Sequence, residues 1–237
     1  MANELKDFLD QKYLDYSTAA FITDDPIQIP HQFSIKQDIE IAGLFAAIFA
    51  WGQRKTIMNK ATELMARMDN APFEYVNSAS KKDLKSLHGF VHRTFNADDV
   101  TGFMLALQKF YTENESLERL FSHPADASDL KNGLHQFKAF FTKNGILKRT
   151  ERHLPDPFSN SAAKRVNMYL RWMVRKDAVD FGIWQSISPA LLSCPLDVHS
   201  GRVARSLGLL ERTQNDWRAV EELNTSLRKM NAVDPVK

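Results

Sequence analysis

Ser34 to Trp51 is the stretch that most restricts how this chain can fold. Ile35, Ile39, Ala42, Phe45 and Phe49 recur at three- and four-residue intervals, and nearly every position after Ile41 is also apolar. The spacing is helical, and a helix apolar on all sides has to be covered on most of them. The rest of the chain must supply that cover. No segment alternates with period two for long, and nine glycines and nine prolines in 237 residues are too few for a turn-rich all-β fold. The expected fold class is all-α: one domain spanning residues 1–237, built as two helical lobes with a cleft. The central lobe is placed at about 35–145, and the second at 1–34 together with 146–237.

The other helices follow from the same periodicity. Asn3 to Tyr16 carries Leu5, Phe8, Leu9, Tyr13 and Leu14 along one side. Asp24 to His31 reads as a linker, because Pro26 and Pro30 exclude a helix interior. Gly52 offers a left-handed cap after the central helix. Helices are predicted at Lys55 to Met68, Pro72 to Ser78 and Lys81 to Leu87. His88 to Asn96 reads as irregular and rich in aromatics and bases. Asp98 or Asp99 is placed to cap a helix carrying Val100, Phe103, Leu107 and Phe110. A short turn at Leu117 to Phe121, a helix at Asp129 to Thr142 and a basic loop at Gly145 to Pro157 come next. Helices over Ser161 to Arg175, after Asp197, and over Asn215 to Met230 complete the pattern.

Composition narrows the function classes. With 43% hydrophobic and 25% charged residues the chain has the make-up of an ordered globular protein. A net charge of +2 does not by itself identify a nucleic-acid partner; cations would have to be concentrated on one face. Cys194 is the sole cysteine, which excludes an intramolecular disulfide and a cysteine-based zinc site and suits a reducing cytoplasm. Met1 to Lys6 lacks a signal-peptide apolar core, and the run Ile39 to Trp51 is about two-thirds of a membrane span. A cytoplasmic, monomeric protein with no membrane contact is expected. The seven histidines show no metal-ligand spacing, so neither a metal nor another cofactor is expected.

The chemistry is concentrated between Ser161 and Leu210. On a helical wheel Val166, Tyr169, Leu170, Met173 and Val174 fall together as a buried face. Lys164, Met168, Arg171 and Arg175 fall opposite, as a strip with no acid to offset its self-repulsion. A solvated helix back is the plain account of such a strip; an anionic partner such as a phosphate backbone is the functional one. Lys164 lies at a helix start, where the macrodipole disfavours a protonated amine, as a nucleophilic lysine requires. Asp197 precedes Val198-His199-Ser200-Gly201-Arg202 as a plain N-cap, which also leaves an ionised carboxylate fixed in place.

Leu196-Asp197-Val198-His199-Ser200-Gly201-Arg202-Val203 resembles the V-D-[TV]-[HN]-x-x-R-V signature of the helix-hairpin-helix DNA glycosylase superfamily, which carries its essential aspartate. Ala163-Lys164-Arg165-Val166-Asn167-Met168-Tyr169-Leu170-Arg171 resembles the K-E-A-S-H-F-L-R segment of archaeal 8-oxoguanine glycosylases, whose lysine is the nucleophile. Ile48-Phe49-Ala50-Trp51-Gly52-Gln53-Arg54-Lys55-Thr56 is similar to the I-L-S-Q-Q-T segment that enters DNA near the lesion. The phrase from Lys164 to Asp177 is similar to K-R-x-N-x-x-L-R-W-M-V-R-K-D of a bacterial family whose function was itself inferred from this superfamily. Two departures stand out. The superfamily hairpin L-P-G-[VI]-G-x-x-[TK] grips a phosphate with glycine amides, and Leu154-Pro155-Asp156-Pro157-Phe158-Ser159-Asn160-Ser161 has no glycine. The interval of 33 residues from Lys164 to Asp197 is longer than in most of the superfamily and closer to the archaeal branch. The likeness also implies an aromatic, glycine-containing tail beyond Lys237.

The resemblance implies a base-excision DNA glycosylase, possessing abasic-site lyase activity, acting on double-stranded DNA with a damaged base such as an oxidised purine. Lys164 is then the nucleophile, and Asp197 stabilises the cationic sugar and helps to deprotonate the lysine. Gln53 and Arg54 fill the gap or contact the opposite strand. Phe90, His92, Arg93 and Phe95 stack on or hydrogen-bond the flipped base, although packing between helices accounts equally well for the two phenylalanines. Arg165, Arg171, Arg175, His199 and Arg202 belong to the DNA-contacting set. Two other readings keep the scaffold without the chemistry: a non-catalytic nucleic-acid binder, and a helical module that meets an acidic protein.

Overall fold

The computed structural model describes residues 2–80, 82–121 and 124–237. Its elements, in chain order, are α1 (Ala2–Tyr16), α2 (Ala19–Ile22), α3 (Lys36–Phe49), α4 (Arg54–Arg67), α5 (Pro72–Ser78), β1 (Val91–His92), β2 (Phe95–Asn96), α6 (Ala97–Tyr111), α7 (Lys131–Asn144), α8 (Lys164–Val174), α9 (Val198–Ser206) and α10 (Trp217–Met230), joined by short 3₁₀ turns. The protein is mostly helical. The strands β1 and β2 form a two-residue antiparallel hairpin pairing Val91 with Asn96 and His92 with Phe95. No helix among the described residues is long and apolar enough to cross a membrane.

The chain forms two compact units. The first comprises Met1–Thr23, His123–Leu134 and Pro155–Lys237; the second comprises Asp24–Ser122 and His135–Leu154. These bounds differ from the lobes expected at 35–145 and at 1–34 with 146–237. Residues 24–34 join the second unit because Pro26, Ile27, Ile29 and Pro30 are buried, so the expected linker is a pair of 3₁₀ turns inside a core. The Asp25 carboxylate starts the first turn by accepting from the Ile27 amide at 3.0 Å.

In the second unit α3 is buried over nearly its whole length, as its composition requires. Ile35, expected on its buried stripe, is instead the exposed N-cap residue, because the helix starts only at Lys36. Phe49 meets Phe45, Phe90, His92 and Phe95 at ring-centroid distances of 5.1–5.9 Å. Phe103 continues the cluster to Phe141 at 5.0 Å. Gly102 of α6 and Gly145 lie so close that a Cβ on Gly102 would sit 2.7 Å from the Gly145 carbonyl oxygen. Asn96, not Asp98 or Asp99, caps α6; Asp99 returns the bond to the Asn96 amide at 2.8 Å in a capping box. The predicted helix at Lys81 to Leu87 is a 3₁₀ turn over Asp83–Leu87, and Lys81 lies outside the described residues.

In the first unit α8 buries Val166, Tyr169, Leu170, Met173 and Val174, the predicted face. Trp184, from the connector after α8, packs edge-on against Tyr169 at 5.2 Å. Trp217, Val220 and Leu223 form the inward face of α10.

Candidate functional site

The predicted helix over Ser161 to Arg175 begins three residues late, at Lys164. The delay has a backbone cause. Asp156 caps a 3₁₀ turn at Pro157–Ser159, Asn160 then takes φ 59°, and Ala163 takes φ 48° immediately before the helix. The segment therefore makes two left-handed turns without glycine. Asn160 tolerates that conformation, and its side chain donates to the Asp216 carboxylate at 3.0 Å. Ala163 has no polar side chain to offset it and holds a strained conformation, costing about 1–2 kcal/mol, while buried.

Lys164 is thus the first helical residue of α8, and its Nζ lies 3.4 Å from Oδ2 of Asp197. Both side chains are 33% exposed, so the pair is partly covered and reachable by solvent. Asp197 is the N-cap of α9. Its Oδ1 accepts from the His199 amide at 2.8 Å and the Ser200 amide at 2.9 Å, and the Ser200 hydroxyl accepts from the Asp197 amide at 2.8 Å. One carboxylate oxygen is therefore spent on the cap while the other faces the lysine. Burial works to raise the Asp197 carboxyl, but the Ser200 amide, the Lys164 charge, the His199 amide and the Ser200 hydroxyl outweigh it and hold it below the ordinary carboxylate range.

Two supporting residues were not singled out from sequence. Ser200 completes the capping box, and its D-x-x-S spacing is a readable signal. Asn215 donates to the Asp197 carbonyl at 2.9 Å while accepting from Arg205 at 2.7 Å. Nothing in the local sequence marks it. A Cβ on Gly201 would lie 2.6 Å from Asn215 Oδ1, so a larger residue there would displace the Asn215 side chain. His199 and Arg202 are exposed on α9, as is Val198.

The basic strip on α8 is not uniform. Arg175 is 2% exposed and cannot face a phosphate: it is held by Asp177 at 3.0 Å, Asp180 at 2.5 Å and Asp234 at 3.0 Å. Arg171 is paired with Asp180 at 3.1 Å. The acids that offset this strip come from outside the helix, where a helical wheel does not look. Arg165 is half-buried, and desolvation pushes it down to about 10, leaving it charged at neutral pH. The Cys194 thiol is desolvated and pushed up to about 11, although the residue as a whole is only partly covered.

The remaining predicted site residues lie in the second unit. Gln53 and Arg54 are exposed at the start of α4, after Gly52 at φ 110°. Phe90 and Phe95 are fully buried in the aromatic cluster and His92 is 1% exposed, so in this conformation none of them offers a face to a base. His92 Nε2 lies 3.1 Å from the Phe49 carbonyl oxygen; desolvation pulls the imidazole below its ordinary value, against the opposing effect of that hydrogen bond. Arg93 is exposed at the hairpin tip at φ 57°, with its guanidinium 4.5 Å above the Trp51 ring.

No curated protein and no solved structure matches the chain. Residues 25–237, most of the chain, match the family described as "Protein of unknown function (DUF2400)". The chain belongs to that family.

Proposed function

We propose that the protein is a DNA base-excision glycosylase with abasic-site lyase activity, in which Lys164 is the nucleophile and Asp197 an electrostatic partner. One observation carries this reading: Lys164 and Asp197, 33 residues apart, meet at 3.4 Å while Asp197 is fixed by a helix cap. The strained Ala163 beside Lys164 is a second support, since strain of this kind gathers at functional sites. The reading brings with it a two-lobed, glycosylase-like fold and a target nucleotide turned out of the duplex.

The chemistry follows from the pair. The Lys164 ammonium gives a proton to solvent. The free amine then forms a bond to C1′ of the sugar as the bond from C1′ to the base breaks. That electron pair leaves with the base, which takes up a proton. A carboxylate held below its ordinary range is a weak base and a persistent negative charge. Asp197 therefore stabilises the cationic sugar rather than accepting the amine's proton. The C1′–O4′ bond then breaks, O4′ gaining the proton that the attached nitrogen gives up, and leaves an iminium between Lys164 and C1′. Loss of a proton from C2′ then expels the 3′ phosphate.

Borohydride trapping tests this directly. Duplexes carrying 8-oxoguanine, uracil, an alkylated base or an abasic site should yield a covalent adduct with the intact chain and none with Lys164→Gln. Asp197→Asn should slow base release by about 10²-fold or more. Clean binding with no adduct on any of these duplexes would leave a non-catalytic nucleic-acid binder and overturn the enzymatic reading.

A further inference from the structure

A second feature, in the other unit, is not used by that chemistry. Lys109 near the end of α6, Arg119 in the 3₁₀ turn Leu117–Phe121 and Lys143 at the end of α7 line one open groove. Its volume of about 490 Å³ lies within the range of ligand-binding clefts. All three cations are exposed, and Leu120 and Phe140 contribute an apolar floor. None of the described residues that line the groove is acidic, and α7 contains no acid along its length.

Several other cations of the same unit are paired with acids: Lys60 and Arg67 with Glu63, Arg149 with Asp99, Lys148 with Glu151. Glu118, next to Arg119, pairs with Lys36 at 3.7 Å. A lysine in the last turn of a helix complements the macrodipole, which accounts for Lys109 and Lys143 singly. It does not account for a third cation from a separate 3₁₀ turn converging on the same groove with no counter-charge. Three like charges around one groove repel, and a polyanion laid across them relieves that repulsion.

We propose that this groove is a contact surface for the phosphate backbone of duplex DNA. The choice of DNA as the polyanion rests on the proposed function; the charge of the groove does not. The open shape suits a polymer crossing it, with Lys109, Arg119 and Lys143 on phosphates and the apolar floor against sugar edges. Contacts of this kind position a duplex without reading its sequence.

The test is a salt titration of binding to a fluorescently labelled undamaged duplex by the full chain. Lys109→Glu with Lys143→Glu should weaken binding about 10- to 100-fold at low salt and flatten the slope of log K against log salt by about two. Lys109→Gln with Lys143→Gln should flatten it by a similar amount with a smaller loss of affinity, and urea unfolding should show both variants folded. An unchanged slope and affinity in the charge-reversal variant overturns the groove while leaving the Lys164 reading intact. Groove-dependent binding with no borohydride adduct on any damaged duplex leaves the groove standing and overturns the enzyme. Binding of polyglutamate in place of the duplex assigns the groove to an acidic protein and overturns the proposal.

Discussion

In the unit that carries Lys164 and Asp197, charge is gathered into a cluster: the buried Arg175 meets Asp177, Asp180 and Asp234, and Arg171 also reaches Asp180. In the unit built on α3, buried acids are dispersed, and each anchors one loop. Asp38 accepts from the Phe73 amide at 2.8 Å, Glu40 from Tyr111 at 2.9 Å and the Leu117 amide at 3.0 Å, and Asp99 bonds to Thr150. The core of that unit is aromatic instead. A chain can thus bury charge by mutual neutralisation or by fastening it to backbone amides, and the two solutions fail differently. A cluster fails when its shared cation is lost; a dispersed set loses one loop at a time.

The comparison breaks most readily at its two centres. Arg175→Ala should destabilise the protein by about 3–5 kcal/mol in urea unfolding, because it leaves the buried Asp177 without a cation and Asp180 with Arg171 alone. Phe49→Ala should cost a similar 3–5 kcal/mol through the cavity left among Phe45, Phe90 and Phe95. If Arg175→Ala proves mild, the cluster is not the support of its unit. Gly102→Ala, at the close approach to Gly145, should cost about 1–3 kcal/mol through a clash with backbone.

Acid should separate the units. His92 binds its proton less readily when folded than when unfolded, so its contribution is fully present above about pH 6.5 and is lost as pH falls below it. Asp177 lies among groups that outweigh its burial and pull it from 3.8 down to about 2. Its contribution, about 2 kcal/mol, is fully present above about pH 4 and is lost as pH falls from there towards 2. Trp51 lies in the second unit, and Trp172, Trp184 and Trp217 lie in the first. Fluorescence of the intact chain compared with Trp51→Phe should therefore show the Trp51 signal changing at the higher pH. A single acid transition common to all four tryptophans would contradict this. The smallest effect is expected at the candidate site. Lys164→Ala should change stability by less than about 1 kcal/mol, because a pair one-third open to solvent contributes little. A larger loss would make the pair structural.

Much of this was legible before any coordinates. The periodicity of Ile39 to Phe49, of α8 and of α10 set which faces are buried, and Asp197 as a helix cap follows from Pro195 and the residues after it. The likeness at Asp197 and Lys164 named the pair. The misreadings share one source. Arg175 falls on the basic strip by periodicity although its acids lie in later segments, and the choice between base contact and interhelical packing for Phe90 and Phe95, like the burial of His92, turns on contacts with Phe49 and Phe103 that local sequence does not encode.

The sequence by itself determined the helices and their inward faces, since those depend on neighbours three and four residues away. It also determined that Asp197 would be ionised and capped. Only the tertiary structure decided that Lys164 meets Asp197, that Asn160 and Ala163 turn left-handed where glycine was missed, and that Arg175 is buried. Each of these depends on packing between residues far apart in the chain, and no local propensity encodes which distant partner arrives.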